Sequence, residues 1–234
     1  MSSVAHASRL VELLGLTVQP VAVMFSATPP AGVARVASAA PSGCSYWKHA
    51  ADGQVFHTLA EDHFGCAVGA YTHGAELGDA QKKELEGLVT TMVGLEYVTM
   101  AEVSGSPTRK EKLAVVSYAP LATAPFAPDL VLVRATARAA MLFAEAAHAE
   151  GLQDPGAAGL RPACTMIPRV LDSGRATNSL GCIGNRVYTG LPDGEVWASA
   201  PGGSIDAIVT RLETVARANI ELEKFHRARL GAST

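Results

Sequence analysis

The sequence predicts an α/β protein whose mixed sheet is built from two similar halves related by a pseudo-two-fold axis, with helices at the periphery. Short apolar runs typical of buried strands alternate with longer segments whose apolar residues recur at helical spacing. A pattern of strand, isolated cysteine and glycine–cysteine step occurs twice along the chain. Because apolar residues make up 48 % and charged residues 18 % of the chain, we expect one domain over residues 1–234 with a substantial core.

Each element of this prediction comes from a local pattern. Short runs of apolar residues, or weak alternation between apolar and polar residues, predict strands over 21–25, 55–59, 113–118, 129–133 and 195–198. Amphipathic or alanine-rich segments predict helices over 6–14, 80–92 and 136–150, and from 204 onward. The stretch over 28–41 is rich in proline, alanine and glycine, which favours a loop.

The repeated pattern divides the chain into half-repeats at about 16–112 and 113–234. In the first half it consists of a strand that follows Pro20, then Cys44, then Gly65-Cys66, then Tyr71-Thr72 and Gly74. In the second half it consists of a strand near Pro128, then Cys164, then Gly181-Cys182, then Tyr188-Thr189-Gly190. We therefore expect equivalent cysteines of the two halves to lie on opposite sides of one axis.

Charge and hydropathy exclude several classes of partner. The net charge of −3 provides no basic field for nucleic acid or an anionic membrane. The N-terminal segment carries Glu12 within its apolar run and lacks an early positive cluster, unlike a secretory signal. No run approaches the ~20 apolar residues that a membrane span requires. We expect a cytoplasmic protein, in which cysteines serve as thiols, metal ligands or redox groups and not as structural disulfides.

Four thiols from two related halves predict a shared metal site. Cys44, Cys66, Cys164 and Cys182 are its expected ligands, because soft sulfur donors favour an iron–sulfur cluster or zinc. Zinc knuckles, ferredoxin-type runs and the CxxCH haem motif are absent, so a 4Fe-4S cluster held by four isolated cysteines is the leading hypothesis. The backbone amides of nearby glycines are expected to hydrogen-bond the cluster; these are Gly65, Gly69, Gly181 and Gly184.

Three histidines near Cys66 are candidates for acid–base chemistry: His57, His63 and His73. The cluster would then serve electron transfer, redox sensing or Lewis-acid chemistry, with a redox protein or a small-molecule substrate as partner. The same residues also fit a non-enzymatic module for a small molecule or tetrapyrrole such as haem, and a zinc-stabilised or metal-free scaffold in which the cysteines only fill the core. An alanine-rich helical surface suggests a homodimer.

Several short motifs resemble a known family. They are Pro20-Val21-Ala22-Val23, Cys44 followed by Trp47-Lys48-His49-Ala50, Cys66 in its glycine-rich step, and Ser179-Leu180-Gly181-Cys182-Ile183-Gly184-Asn185-Arg186. With these motifs the chain resembles, over nearly its whole length, the bacterial and archaeal domain of unknown function 169 family. The resemblance implies a single unit with cysteine-bearing loops. It implies no activity and no catalytic residues.

Overall fold

The protein has a central six-stranded sheet with helices on both faces, as seen in a computed structural model that describes residues 2–155 and 161–231. The strands are β1 (Val21–Ser26), β2 (Phe56–Leu59), β3 (Val115–Pro120), β4 (Leu130–Thr136), β5 (Thr177–Ser179) and β6 (Glu195–Pro201). The helices are α1 (Ser3–Leu14), α2 (Ser45–Ala51), α3 (Ala67–Thr72), α4 (Asp79–Gly94), α5 (Met100–Ser104), α6 (Ala137–Ala149), α7 (Met166–Ser173), α8 (Ile183–Thr189) and α9 (Ile205–Gly231). The predicted α/β class is confirmed.

The strand order is β2-β3-β1-β4-β6-β5, and every pair of neighbouring strands is antiparallel. Parallel pairing occurs in two isolated bridges, Arg35 with His57 and Gln153 with Ala176. If β1, β2 and β3 are exchanged with β4, β5 and β6, the result is the same strand order read from the opposite edge of the sheet. The central β1–β4 pair is therefore the junction of two three-stranded units, as a pseudo-two-fold arrangement requires.

The half-repeat boundaries near residue 113 stay a prediction, as does the single domain over the whole chain. β3 lies beside β1 and β2 in the sheet, although its residues follow that boundary. The strand order therefore groups the first three strands together along the chain, and the last three likewise.

The two faces of the sheet are covered by different helices, because side chains alternate between faces along each strand. One face presents Ala22, Val131 and Val133 to α1, α6 and α9. The other presents Val21, Val23, Leu130, Leu132 and Trp197 to α2 and α7. We call this second face the cysteine face, because Cys44 and Cys164 belong to its core.

The alanine-rich helix α6 packs against the protein's own core. Its alanines at 139, 140, 146 and 147 are buried in the core between the sheet, α1 and α9. The homodimer expected from this helix stays a prediction. Among the described residues, no helix is long and apolar enough to cross a membrane.

Candidate metal centre

All four cysteines lie where a helix begins on the cysteine face. Cys66 is the N-cap of α3 and its Sγ accepts a hydrogen bond from the Gly69 N–H, at 3.4 Å. Cys182 is the N-cap of α8, and its Sγ accepts the N–H of Asn185, also at 3.4 Å. The same donor position, three residues after the cysteine, serves both halves, as expected if the two segments are equivalent.

The remaining two cysteines precede the other pair of helices on this face. Cys44 comes directly before α2, and Cys164 lies in the 3-10 turn Ala163–Thr165 that leads into α7. Their equivalent positions match the predicted repeat, in which each half has an isolated cysteine followed by a glycine–cysteine step.

Contacts between the halves bring these helix starts together. Helix α2 of the first half contacts α8 of the second, and α3 of the first half contacts the turn that contains Cys164. These two contacts are exchanged by the same symmetry that relates the strands. Burial raises the pKa of Cys164 most, and Cys66, Cys182 and Cys44 raise it further, as expected of thiols on neighbouring segments. The four segments thus converge although they are far apart in sequence.

Burial separates the four thiols into two pairs. Cys44 and Cys164 are buried, whereas Cys66 and Cys182 are partly exposed. Burial raises the pKa of the Cys44 thiol, and the Ser42 hydroxyl, 3.0 Å from Sγ, and the Asn185 amide oppose that rise. Burial likewise raises the pKa of Cys164 far above its ordinary value. These two residues are neutral thiols at pH 7 in the metal-free protein, and they must release protons to bind a metal.

No group of three or more His, Cys, Asp or Glu side chains is gathered tightly enough to hold a single metal ion within residues 2–155 and 161–231. The thiols occupy four separate helix starts and do not form such a group. A cubane cluster has four irons, each of which binds one cysteine, so its ligands surround a body larger than an ion.

The four predicted glycines have different surroundings. A Cβ on Gly65 would lie 2.7 Å from the Ala40 carbonyl oxygen, so this position allows a close backbone approach. Gly69 donates its N–H to Cys66, as described above. Gly181 has a φ of +80° and lies against the Asn185 side chain. A Cβ on Gly184 would make only an ordinary contact with Tyr188, at 3.8 Å, and the donor to Cys182 is Asn185.

His57 lies on the opposite face of the sheet from the thiols. It pairs with Ser117 on β3, between the Phe56–Tyr118 and Thr58–Val116 pairs that face the cysteine side. Its Nδ1–H donates to the Val33 carbonyl, at 2.9 Å. The structure therefore does not bring His57 to the cysteines, because strand alternation turns it away.

His63 and His73 are buried on the cysteine side, with ring centroids 5.8 Å apart. The Thr58 hydroxyl gives its proton to the Val116 carbonyl, so it accepts from Nε2–H of His63. The Nδ1 lone pair of His63 then faces Gly43, where a Cβ would lie only 3.3 Å away. Neither ring nitrogen of His73 has a hydrogen-bond partner among the described residues.

Burial is the main cause of low pKa values at both rings. It lowers the pKa of His63 to about 4, and burial together with His63 and Arg109 lowers the pKa of His73 to about 3. Both imidazoles are therefore neutral at pH 7. They can accept a proton only at a large cost, which limits their use as general acids in this state of the protein.

We expect acid to destabilise the metal-free protein through these two rings. Their folded-state pKa values lie below the ordinary value of 6.5, so the unfolded chain binds more protons as the pH falls below 6.5. Each ring should then remove about 2 kcal/mol of unfolding free energy between pH 8 and pH 5. Urea unfolding at both pH values measures this loss.

The matched variants are His73→Phe, which should abolish about half of the pH-dependent loss, and His148→Gln at an exposed position of α6, which should abolish none. An equal loss in wild type and His73→Phe would contradict the assignment.

Two arginines near Cys182 are occupied by the backbone. Arg186 donates to the carbonyls of Leu180 and Pro192, at 2.6 and 2.9 Å, and Arg175 donates to that of Gly151, at 2.9 Å. They therefore brace the loops around the second half of the site and are not directed at a substrate. The residues that sequence reasoning missed are Ser42, which bonds to Cys44 two residues away, and the side chain of Asn185, which opposes the rise of the Cys44 pKa.

The fold and the site together define a class: an α/β protein of two three-stranded halves in which four helix-starting cysteines converge on one face of the sheet. A family model described as "Uncharacterised ArCR" matches residues 9–211, well over half of the chain. The chain therefore belongs to the domain of unknown function 169 (DUF169) family, and the resemblance seen in the motifs is confirmed. No match was found among curated proteins or among solved structures.

Proposed function

We propose that this protein binds a 4Fe-4S cluster between its two halves, with Cys44, Cys66, Cys164 and Cys182 as ligands, and acts in redox chemistry. The observation that carries the proposal is the convergence of four thiols from distant segments at equivalent positions of the two halves. Cysteines that only filled the core would not need to occupy equivalent positions in the two halves, nor to lie on segments that contact each other across the halves.

Hydrogen bonds at the thiols support a cluster over zinc. The N–H groups of Gly69 and Asn185 donate to Sγ of Cys66 and Cys182, and such bonds tune the potential of iron–sulfur clusters. Structural zinc sites commonly use closely spaced cysteine pairs, and the four cysteines here are isolated. Four isolated ligands, each on its own helix start, suit a group with four metal atoms.

The residues after Cys44 would shield one side of such a group from water. Tyr46 and Trp47 follow Cys44 on α2 and are fully buried, and Trp47 packs edge-to-face on Trp197 at 5.5 Å between ring centroids. A dry, aromatic environment with few charges influences the potential of a buried redox centre. With all four cysteines bound, the group would transfer or sense electrons; with only three bound, the iron that lacks a cysteine would offer Lewis-acid chemistry to a small molecule.

The test is anaerobic purification of the full chain followed by analysis of iron, acid-labile sulfide and zinc. We expect about four irons and four sulfides per chain, with a broad absorption near the violet edge that bleaches on reduction. Colourless protein with stoichiometric zinc would replace the proposal with a zinc-stabilised scaffold. A sharp, intense band would indicate a porphyrin. Colourless protein without metal would replace the proposal with a metal-free scaffold.

A further inference from the structure

One residue of the second half lies where helix α8 packs against α2. Asn185 is in the first turn of α8, where its backbone N–H donates to Cys182, and α2 begins directly after Cys44. The Asn185 amide also opposes the burial that raises the pKa of the Cys44 thiol. Asn185 is thus the point where the two halves of the cysteine site meet.

The amide of Asn185 is buried without a partner. Asn185 is 2 % exposed, and neither Oδ1 nor Nδ2 completes a hydrogen bond of ordinary geometry with any described residue. Burial of an unpaired amide is costly, so native proteins rarely retain one without a ligand, a water or a role. The unpaired amide therefore points to a bound state in which it is satisfied.

Packing behind Asn185 holds its side chain in place. A Cβ on Gly181 would lie 3.1 Å from Asn185 Oδ1 and 2.9 Å from the Leu191 side chain. Gly181 also has a φ of +80°, which side chains other than hydrogen rarely adopt. Glycine at this position leaves room for the amide oxygen, and the amino end of the amide remains to serve as a donor.

The first half has no equivalent of this side chain. The residue that donates its backbone N–H to Cys66 is Gly69, which stands where Asn185 stands in α8. Two similar halves therefore build an unsymmetrical site, with a side-chain amide on one side only. The Ser42 hydroxyl lies 3.0 Å from the Cys44 sulfur, so the polar groups concentrate on this one sulfur.

We propose that Asn185 is a positioning residue that donates an Nδ2–H hydrogen bond to the Cys44 thiolate in the cluster-bound protein and thereby raises the reduction potential of the cluster. The inference rests on the proposed function. A hydrogen bond to a thiolate is charge-assisted and stabilises the more negative, reduced state more than the oxidised state. Removal of the donor should therefore lower the potential without removing any of the four ligands.

The experiment compares wild type, Asn185→Ala and a matched control, Asn178→Ala, by metal analysis and by redox titration of the visible absorption. Asn178 lies on β5 opposite Ala198, on the face of the sheet away from the cysteines. We expect full iron and sulfide in all three proteins, a more negative potential in Asn185→Ala, and an unchanged potential in Asn178→Ala. A fully loaded Asn185→Ala protein with the wild-type potential would overturn the proposal.

Asn185→Asp covers the case in which the alanine variant fails to assemble. The aspartate keeps the shape of the side chain but, when ionised, donates no proton and adds negative charge, so the potential should fall further. A loaded Asn185→Asp protein with the wild-type potential also overturns the proposal, and so does loss of the cluster from both variants while Asn178→Ala stays loaded. Wild type without iron would instead refute the proposed function, and with it this inference.

Discussion

We expect each of the four single cysteine-to-alanine variants to lose the proposed 4Fe-4S cluster, with iron and sulfide falling far below wild type in all four. In a cluster held by four cysteines each iron binds one thiolate, so the loss of any one cysteine weakens the attachment of the whole group. Alanine is preferable to serine at Cys44 and Cys164, because a hydroxyl is more costly to bury than a thiol. Iron and sulfide analysis of anaerobically purified protein measures the outcome.

Ser117→Ala is the matched control for these variants. Ser117 is fully buried on the other face of the sheet, and its replacement also removes a single heavy atom. This variant should keep wild-type iron and sulfide. If Cys44→Ala and Cys164→Ala merely lowered stability and kept their cluster, or if Cys66→Ala and Cys182→Ala had no effect, the four-cysteine assignment would be wrong.

Gly202→Ala will destabilise the protein strongly. Gly202 begins the turn after β6, and its N–H donates to the Asp129 carbonyl, at 2.8 Å, just before β4. A Cβ there would lie 1.9 Å from the Pro128 carbonyl oxygen, a backbone atom that cannot move without disturbing β4. We expect a loss of about 3 kcal/mol or more in unfolding free energy, which would lower Tm by about 5–10 °C.

The neighbouring Gly203→Ala variant is the control for this effect. A Cβ on Gly203 would meet nothing within 4 Å among the described atoms, so the substitution should change the unfolding free energy by less than about 0.5 kcal/mol. Urea unfolding of both variants at one pH measures the difference. Equal stabilities would show that the β6 turn relaxes away from Pro128.

Local patterns predicted several elements well. The apolar run over 21–25 became β1, and the polar-faced segment over 80–92 became α4, because strand and helix periodicities can be recognised from neighbouring residues. β5 was not predicted. Its three residues, Thr177–Ser179, have no apolar run, and they form a strand because they pair with β6.

The candidate site shows the same division between features that follow from local sequence and features that follow from tertiary contacts. The repeated glycine–cysteine step predicted equivalent positions for Cys66 and Cys182, and both residues are N-caps. The grouping of His57 with His63 and His73 rested on their proximity in sequence to Cys66. The structure places His57 on the far face because its side-chain direction follows from the register of β2 against β3.

The sequence alone determined the fold class, the family and the repeated positions of the cysteines, because periodicity, helix-start signals and short motifs are properties of nearby residues. Only the tertiary structure decided that the strands are antiparallel and that α2 meets α8, with the amide of Asn185 next to Cys44. These features depend on contacts between segments that are tens of residues or more apart in the sequence. Such contacts are selected by burial of the whole core and leave little trace in any local stretch of the chain.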